Sequence, residues 1–239
     1  MAFAAGLGER LVAVTDADDF PPQIEGLTRI AALPLNHEAV VALRPDLILA
    51  SDQVNSKRDA DALAELGIPT FFVSVQSLPD VSRGIRSLGA LFGGLTAPAY
   101  ADSLERLLAS LDETRSLAPD TFSVIFLIGD ETLFSFGPES YVHDMILVAG
   151  GRSLTETMDT DAPILSEEFV LQAGPDVLFT AFEVDIERLV TLHPSWSLIP
   201  AVSSGRVFQI PPDLVLRAGP RLIAGTQAMS DAMKLARAR

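Results

Sequence analysis

Two segments of the chain repeat the same local design, and each carries an acid that could contact a basic partner. The segments are residues 36–51, NHEAVVALRPDLILAS, and residues 166–181, SEEFVLQAGPDVLFTA. Each has a glutamate at its third position, Glu38 or Glu168, and a Pro-Asp dipeptide before an apolar run. The helix dipole favours an acid in the first turn of a helix, where it stays exposed. Two such charges can orient a partner through contacts with arginine, although ordinary surface charge on two helices is the simpler explanation.

Four aromatic residues and one arginine are candidates for ligand binding because they fall in loops after predicted strands. An aromatic side chain at a loop tip is costly to expose, which makes it a candidate for stacking on a ligand. The candidates are Phe20, Phe134, Phe136, Phe182 and Arg217. Each phenylalanine could equally fill the core of its own lobe, and Arg217 could pair with Asp213 instead of an anionic ligand.

Other catalytic or metal-binding chemistry has little support in the sequence. The three histidines, His37, His143 and His193, show neither i, i+4 spacing nor an HExxH motif, so no zinc site is predicted. Neither a nucleotide-binding glycine motif nor a GxSxG motif occurs. The adjacent acids Asp18 and Asp19 could in principle do proton chemistry, although such pairs are usually only solvated. An α/β enzyme of unassigned chemistry therefore stays as the alternative to a binding protein.

Composition places the chain among folded globular proteins. Of 239 residues 48% are hydrophobic, which excludes disorder. The formal net charge of −15 argues against a nucleic-acid partner. Cysteine is absent, so no disulfide framework is predicted. The first residues, MAFAAGLGER, do not form a signal peptide, and we expect that an upstream segment has been removed.

Short apolar runs alternate with helical patterns, which predicts an α/β architecture. The runs are continuous rather than alternating, as in parallel strands covered on both faces. The predicted strands are residues 10–15, 46–50, 70–75, 123–128, 176–181 and 206–210.

One predicted helix, residues 96–119, is longer than the others and lies between two sets of strands. A helix of about 20 residues would span about 30 Å, the width of a small domain. We therefore expect two Rossmann-like α/β lobes with parallel sheets, joined by one long helix. The predicted boundaries are 1–95 for the N-terminal lobe, 96–118 for the linking helix and 119–239 for the C-terminal lobe.

The order of these motifs resembles the helical-backbone (class III) periplasmic solute-binding proteins, which serve ABC importers of cobalamin, ferric siderophores and haem. The segments that carry the resemblance are residues 6–23, 37–51, 63–73, 137–154, 165–179 and 193–210. The resemblance implies that the first strand of the N-terminal lobe precedes residue 1. It also implies an exported monomer without catalytic activity or a cofactor of its own, which binds its ligand in a cleft between the lobes.

The same resemblance assigns partners to the acids. Glu38 and Glu168 would sit on the outer rim of each lobe and pair with arginines of the membrane permease, with Glu167 as the substitute if the register differs by one. Trp196 falls in a packing motif of the family and is expected to be structural.

Residues near the rim glutamates bear on the identity of the ligand. Cobalamin binders of the family have tryptophans before each rim glutamate, where this chain has Ala32 and Ala162. Haem binders have a tyrosine near the first segment, and residues 28–36 contain none. The DDFPPQ segment at 18–23 resembles cobalamin-type members, while ferric siderophores need no fixed motif. The prediction is therefore a metal chelate, either a cobalamin-type corrinoid or a ferric siderophore.

Overall fold

The chain alternates short strands and helices, as the sequence predicts. A computed structural model describes residues 1–52, 54–116, 121–160 and 162–239. The strands are β1 Ala13–Thr15, β2 Thr28–Ile30, β3 Ile48–Ser51, β4 Thr70–Val73, β5 Phe122–Leu127, β6 Gly151–Ser153, β7 Val177–Thr180 and β8 Val207–Gln209. The helices are α1 His37–Leu43, α2 Lys57–Glu65, α3 Leu78–Phe92, α4 Ala97–Ser116, α5 Tyr141–Val148, α6 Glu167–Ala173, α7 Ile186–Leu192, α8 Pro200–Ser203 and α9 Leu222–Arg237.

All six predicted strands are present, and two further strands, β2 and β6, were not predicted. Each of these two has only three residues, with an arginine at its centre, so neither forms an apolar run. The long helix is confirmed as α4, and its predicted end before Pro119 lies outside the described residues. Within the described parts of the chain, no helix has both the length and the apolar character needed to cross a membrane.

Contacts between Cα atoms divide the chain into two compact units. Unit 1 comprises residues 1–75 and 83–101, and unit 2 comprises residues 76–82 and 102–239. Helices α3 and α4 contribute residues to both units. The role of α4 as a connector between two lobes stays a prediction.

Unit 1 contains two separate parallel sheets of two strands each, β1–β2 and β3–β4. A small cluster formed by Val40, Leu63 and Ile68 packs α1 and α2 near β3. All four residues of β3 and all four of β4 are only half-buried. A two-stranded sheet has little surface to bury, which explains why the predicted cover on both faces is not reached in this unit.

Unit 2 contains one parallel sheet of four strands in the order β6-β5-β7-β8. The central strand β7 is fully buried, as is most of β5, so the predicted cover on both faces is confirmed here. Trp196 has no exposed surface and lies in the same core cluster as Leu178 and Val170. Its burial agrees with the structural role expected for it.

Candidate docking and ligand-binding residues

The first repeated segment, residues 36–51, folds into a corner that we call the first corner. The Asn36 side chain accepts a hydrogen bond from the backbone N–H of Ala39 at 3.0 Å and so begins α1. The helix ends at Arg44, whose φ of 47° lies in the left-handed region. Pro45 and Asp46 then lead into β3. The chain therefore makes a complete helix, turn and strand within 16 residues.

The second repeated segment, residues 166–181, forms the second corner with the same parts. Ser166 accepts a hydrogen bond from the N–H of Phe169 at 3.1 Å, and α6 ends at Gly174 with a φ of 54°. The aspartate of the second corner also makes hydrogen bonds to a neighbouring strand, which the aspartate of the first corner does not do among the described residues. The carboxylate of Asp176 accepts hydrogen bonds from the backbone N–H of Ser123 at 2.9 Å and from its hydroxyl at 2.6 Å. The second corner is thereby joined to the neighbouring strand β5.

Glu38 and Glu168 occupy the second helical position of α1 and α6. Both side chains are exposed, and neither carboxylate has a hydrogen-bonding or ion-pairing partner among the described residues. Glu167 differs, because its Oε1 lies 2.9 Å from Nδ1 of His193. This contact favours Glu168 over Glu167 as the acid available to a partner.

The strand order of unit 2 places a topological switch point at the carboxyl ends of β5 and β7. The connections that leave these neighbouring strands run in opposite directions along the sheet, to β6 and to β8, and ligands of open α/β sheets bind at such a point. Phe134 and Phe136 follow β5, and Phe182 follows β7. Three of the predicted ligand-binding residues thus belong to the loops at this edge.

These three phenylalanines differ in their surroundings. Phe134 is 42% exposed. Phe136 is half-buried and makes an edge-to-face contact with Phe126, with 5.5 Å between the ring centroids. Phe182 is half-buried and packs against the core of unit 2. Core packing accounts for Phe136 and Phe182 in large part, whereas the exposure of Phe134 has no such explanation.

Phe134 has an apolar neighbour that the sequence did not single out, Ile164. The two residues face each other in an isolated antiparallel bridge. The flanking backbone bonds run from Ser135 N–H to the Pro163 carbonyl and from Leu165 N–H to the Leu133 carbonyl. Opposite residues in such a non-hydrogen-bonded pair have closely spaced side chains on one face. We call this the Phe134–Ile164 pair.

The Phe134–Ile164 pair points away from the core. Leu133 and Leu165, the neighbours in each chain segment, are buried in the core cluster, while Ile164 is 63% exposed. Because side chains alternate across an extended chain, burial of the leucines directs Phe134 and Ile164 outward. The result is an exposed apolar pair in the loops near this switch point.

Charged residues surround the same edge of the sheet. Asp130 accepts a hydrogen bond from Nε of Arg188 at 2.8 Å, and this bond holds the pKa of the Asp130 carboxyl below its ordinary value. The same contact raises the pKa of the Arg188 guanidinium. Asp185 caps α7 by accepting from the N–H groups of Glu187 and Arg188. Among the described residues, no group of three His, Cys, Asp or Glu side chains is placed to hold a metal ion.

The remaining candidates lie in other loops. Phe20 is 53% exposed in the loop after β1 of unit 1. In that loop the Asp18 carboxylate accepts hydrogen bonds from the N–H and the hydroxyl of Thr15, which gives Asp18 a structural role. Arg217 is half-buried in unit 2, and Asp213 lies 3.9 Å from Arg221. The structure therefore does not gather the predicted ligand residues into one described cluster.

Comparison with known proteins identifies a family over most of the chain. The profile of the family described as Periplasmic binding protein matches residues 3–214. The chain is similar to an ABC transporter substrate-binding lipoprotein of Bacillus subtilis (strain 168), with 28% identity over 98% of this chain and 76% of the relative. It is also similar to a vitamin B12-binding protein of Pectobacterium carotovorum subsp. carotovorum (strain PC1), with 26% identity over 95% of this chain and 82% of the relative.

Solved structures share the fold. The crystal structure of a periplasmic vitamin B12 binding protein of Vibrio cholerae matches with a TM-score of 0.87 and 24% identity, and the match covers 100% of this chain and 93% of that chain. A periplasmic haem-binding protein from Roseiflexus sp. RS-1 matches with a TM-score of 0.84 and 23% identity, over 98% of this chain and 94% of that chain. These matches confirm the predicted α/β fold with parallel sheets. The similar proteins are binding proteins rather than enzymes, which decides against the enzyme alternative.

Proposed function

The chain belongs to the periplasmic binding protein family, among substrate-binding proteins of ABC transporters, and we propose that it captures a metal chelate and delivers it to a membrane permease. The chelate is a cobalamin-type corrinoid or a ferric siderophore. Export to the periplasm or the cell surface is supported by relatives that are named as lipoproteins or as vitamin B12-binding proteins. The protein acts as a monomer and uses no cofactor.

The observation that carries the docking part of this proposal is the matched pair of exposed acids. Glu38 and Glu168 lie at the same helical position in two corners of the same design, and neither is engaged by the described residues. A carboxylate without an internal partner can accept a bidentate contact from an arginine of the permease. Two acids on separate units would also orient the protein on the permease, because docking requires both charges to be met.

The ligand part of the proposal rests on the Phe134–Ile164 pair and on the switch point at the carboxyl ends of β5 and β7. An exposed apolar pair can cover the flat face of a corrin ring or the organic shell of a siderophore. The vitamin B12-binding relatives favour the corrinoid of the two. Phe20, Phe136, Phe182 and Arg217 remain proposed ligand contacts.

The ligand is tested by calorimetric titration with cyanocobalamin, a ferric hydroxamate siderophore and haem. We expect saturable binding of cyanocobalamin or of the siderophore at one site, without turnover. Phe134→Ala and Ile164→Ala should each weaken that binding about tenfold, because each removes an apolar contact worth about 1.5–3 kcal/mol when fully buried. Leu171→Ala, an exposed apolar position on α6, is the control and should bind as the wild type does. Binding of neither cyanocobalamin nor the siderophore, whether or not haem binds, would contradict the proposed ligand.

Docking is tested with the double variant Glu38→Arg, Glu168→Arg in vesicles that contain the ABC permease. Charge reversal should lower transport at least about 100-fold, because each like-charge contact costs several kcal/mol at an interface. Ligand affinity should not change. Glu187→Arg reverses an exposed acid in the first turn of α7 and serves as the control. Loss of ligand binding in the folded double variant would show that the acids do not act in docking.

A further inference from the structure

The loop that presents Phe134 is closed on itself by backbone contacts. It runs from Ile128, directly after β5, to Phe134, and we call it the Phe134 loop. The N–H of Ile128 donates to the carbonyl oxygen of Phe134 at 2.9 Å, and the N–H of Phe134 donates to that of Thr132 at 2.8 Å. Glycine suits position 129, because a Cβ there would lie 2.7 Å from the Thr132 carbonyl oxygen. The orientation of Phe134 therefore follows that of the whole loop.

A residue within this loop, Asp130, is held at two points by α7 and its C-cap. Its carboxylate oxygen Oδ2 accepts a hydrogen bond from Nε of Arg188 at 2.8 Å. Its carbonyl oxygen accepts a hydrogen bond from Nε2 of His193 at 2.7 Å. Arg188 lies in the first turn of α7, and His193 is the residue at which the helix ends. The loop is therefore fastened to residues from both ends of one helix.

Helix α7 is itself fixed at both ends. At its start, the side chain of Asp185 accepts hydrogen bonds from the N–H groups of Glu187 at 2.9 Å and of Arg188 at 3.2 Å. At its end, His193 is buried, and its ring stacks on that of the fully buried Trp196 with 4.3 Å between the ring centroids. The helix can therefore act as a rigid support for the Phe134 loop.

The bond between Arg188 and Asp130 is the charged part of this support. Arg188 also reaches the next loop residue, since its terminal nitrogen Nη2 lies 3.5 Å from Oε1 of Glu131. The lowered pKa of Asp130 and the raised pKa of Arg188 both arise from their mutual hydrogen bond and agree with a formed pair. The side chain of Arg188 is 54% exposed and that of Asp130 is 30% exposed. Water weakens such a pair, so its loss should loosen the loop without unfolding the protein.

We propose that Arg188 is a positioning residue for Phe134: it holds the Phe134 loop on α7, so that the phenyl ring is oriented before a ligand arrives. This inference rests on the proposed function, since it takes Phe134 to contact the ligand. A side chain that is already ordered loses less conformational freedom on binding, which strengthens binding without adding a contact. Arg188 thus raises the affinity for the ligand by acting through Phe134.

The test is a double-mutant cycle between Arg188 and Phe134. Binding is read by calorimetric titration with cyanocobalamin, or with the ferric hydroxamate siderophore if the wild type binds that compound instead. Arg188→Ala should weaken binding about 2- to 5-fold, as expected for the loss of an exposed ion pair. In the Phe134→Ala background the same change should have little effect, because both changes act on one contact. Independent losses in the double variant, or no loss in Arg188→Ala, would overturn the positioning role.

Two further variants separate positioning from the mere loss of a cation. Lys234→Ala removes a cation that is also 54% exposed and lies 2.8 Å from Asp231, but both residues belong to α9. This variant should bind the ligand as the wild type does. Arg188→Lys keeps a cation near Asp130 and should recover part of the affinity lost in Arg188→Ala. An equal loss in Lys234→Ala, or no recovery in Arg188→Lys, would contradict the proposed role.

A second measurement reads the phenyl ring without any ligand. In protein labelled with fluorinated phenylalanine, the fluorine NMR resonance of Phe134 is identified by its absence in Phe134→Leu. Arg188→Ala should narrow this resonance and move it towards that of the free amino acid, because the ring samples more orientations, whereas Lys234→Ala should not. An unchanged resonance in Arg188→Ala would overturn the positioning role even if a ligand binds. If the resonance responds but the wild type binds neither compound, the proposed ligand is wrong instead, which separates the two failures.

Discussion

The first and second corners share their local structure but differ in how they are held in their units. Both have a seven-residue helix, a side-chain N-cap and a left-handed residue before Pro-Asp. Only the second corner bonds its aspartate to an adjacent strand within the described residues, through Asp176 and Ser123. The comparison shows that a short sequence pattern is sufficient for the corner itself, while its rigidity depends on neighbours supplied from elsewhere in the chain.

The strands that end the two corners differ in burial, and again the second corner is the better supported. Strand β7 lies in the middle of a four-stranded sheet and is buried at every residue, while β3 belongs to a two-stranded sheet and is half-buried throughout. Fewer buried contacts lower the free energy needed for local opening. The first corner should therefore be the less stable of the two.

The largest expected difference comes from matched core positions, Leu178 in β7 and Ile48 in β3. Leu178→Ala should lower the free energy of unfolding by about 3–4 kcal/mol, because it leaves a cavity in a core that cannot collapse around it. Ile48→Ala should cost about 1–2 kcal/mol, because part of the side chain is already in water. Urea unfolding measures both, with Trp196 fluorescence for unit 2 and circular dichroism for the whole chain. Equal losses would show that the two corners are equally well supported.

An intermediate difference is expected at the aspartates. Asp176→Ala removes two hydrogen bonds to a charged acceptor and should cost about 2 kcal/mol. Asp46→Ala, the matched change, should stay within about 0.5 kcal/mol, as is usual for an exposed residue. Urea unfolding of both variants measures the difference. A cost at Asp46 as large as at Asp176 would contradict the view that only the second corner is locked to a strand.

The smallest difference concerns the left-handed residues, Gly174 and Arg44. Gly174→Ala should destabilise by about 1 kcal/mol, because a side chain is strained in this conformation and the site otherwise has room for one. Arg44→Gly should stabilise the first corner by about 0.5–1 kcal/mol for the same reason. Thermal unfolding midpoints that move in opposite directions would confirm this part of the comparison. A lower midpoint for Arg44→Gly would show that the arginine side chain contributes contacts that outweigh its strain.

Much of the fold could be predicted because its signals are local. Six strands follow from apolar runs, and the N-caps Asn36 and Ser166 lie where the helices of the two corners begin. Strands β2 and β6 could not be predicted, because a three-residue strand centred on an arginine has no pattern of its own and exists through its pairing. Ile164 was missed for a similar reason, since its exposure follows from a bridge to a segment 30 residues earlier.

By itself, the sequence determined the architecture, the resemblance to a family and the position of an acid in the first turn of each corner helix. Helix caps, turn residues and apolar runs act over a few neighbouring positions, so a short stretch of sequence is enough to set these features. Only the tertiary structure decided which corner is hydrogen-bonded to a neighbouring strand, which phenylalanine stays exposed and which glutamate contacts His193. These outcomes depend on burial and on hydrogen bonds between residues far apart in the chain. A side chain's type limits what it can do, and its distant neighbours decide what it does.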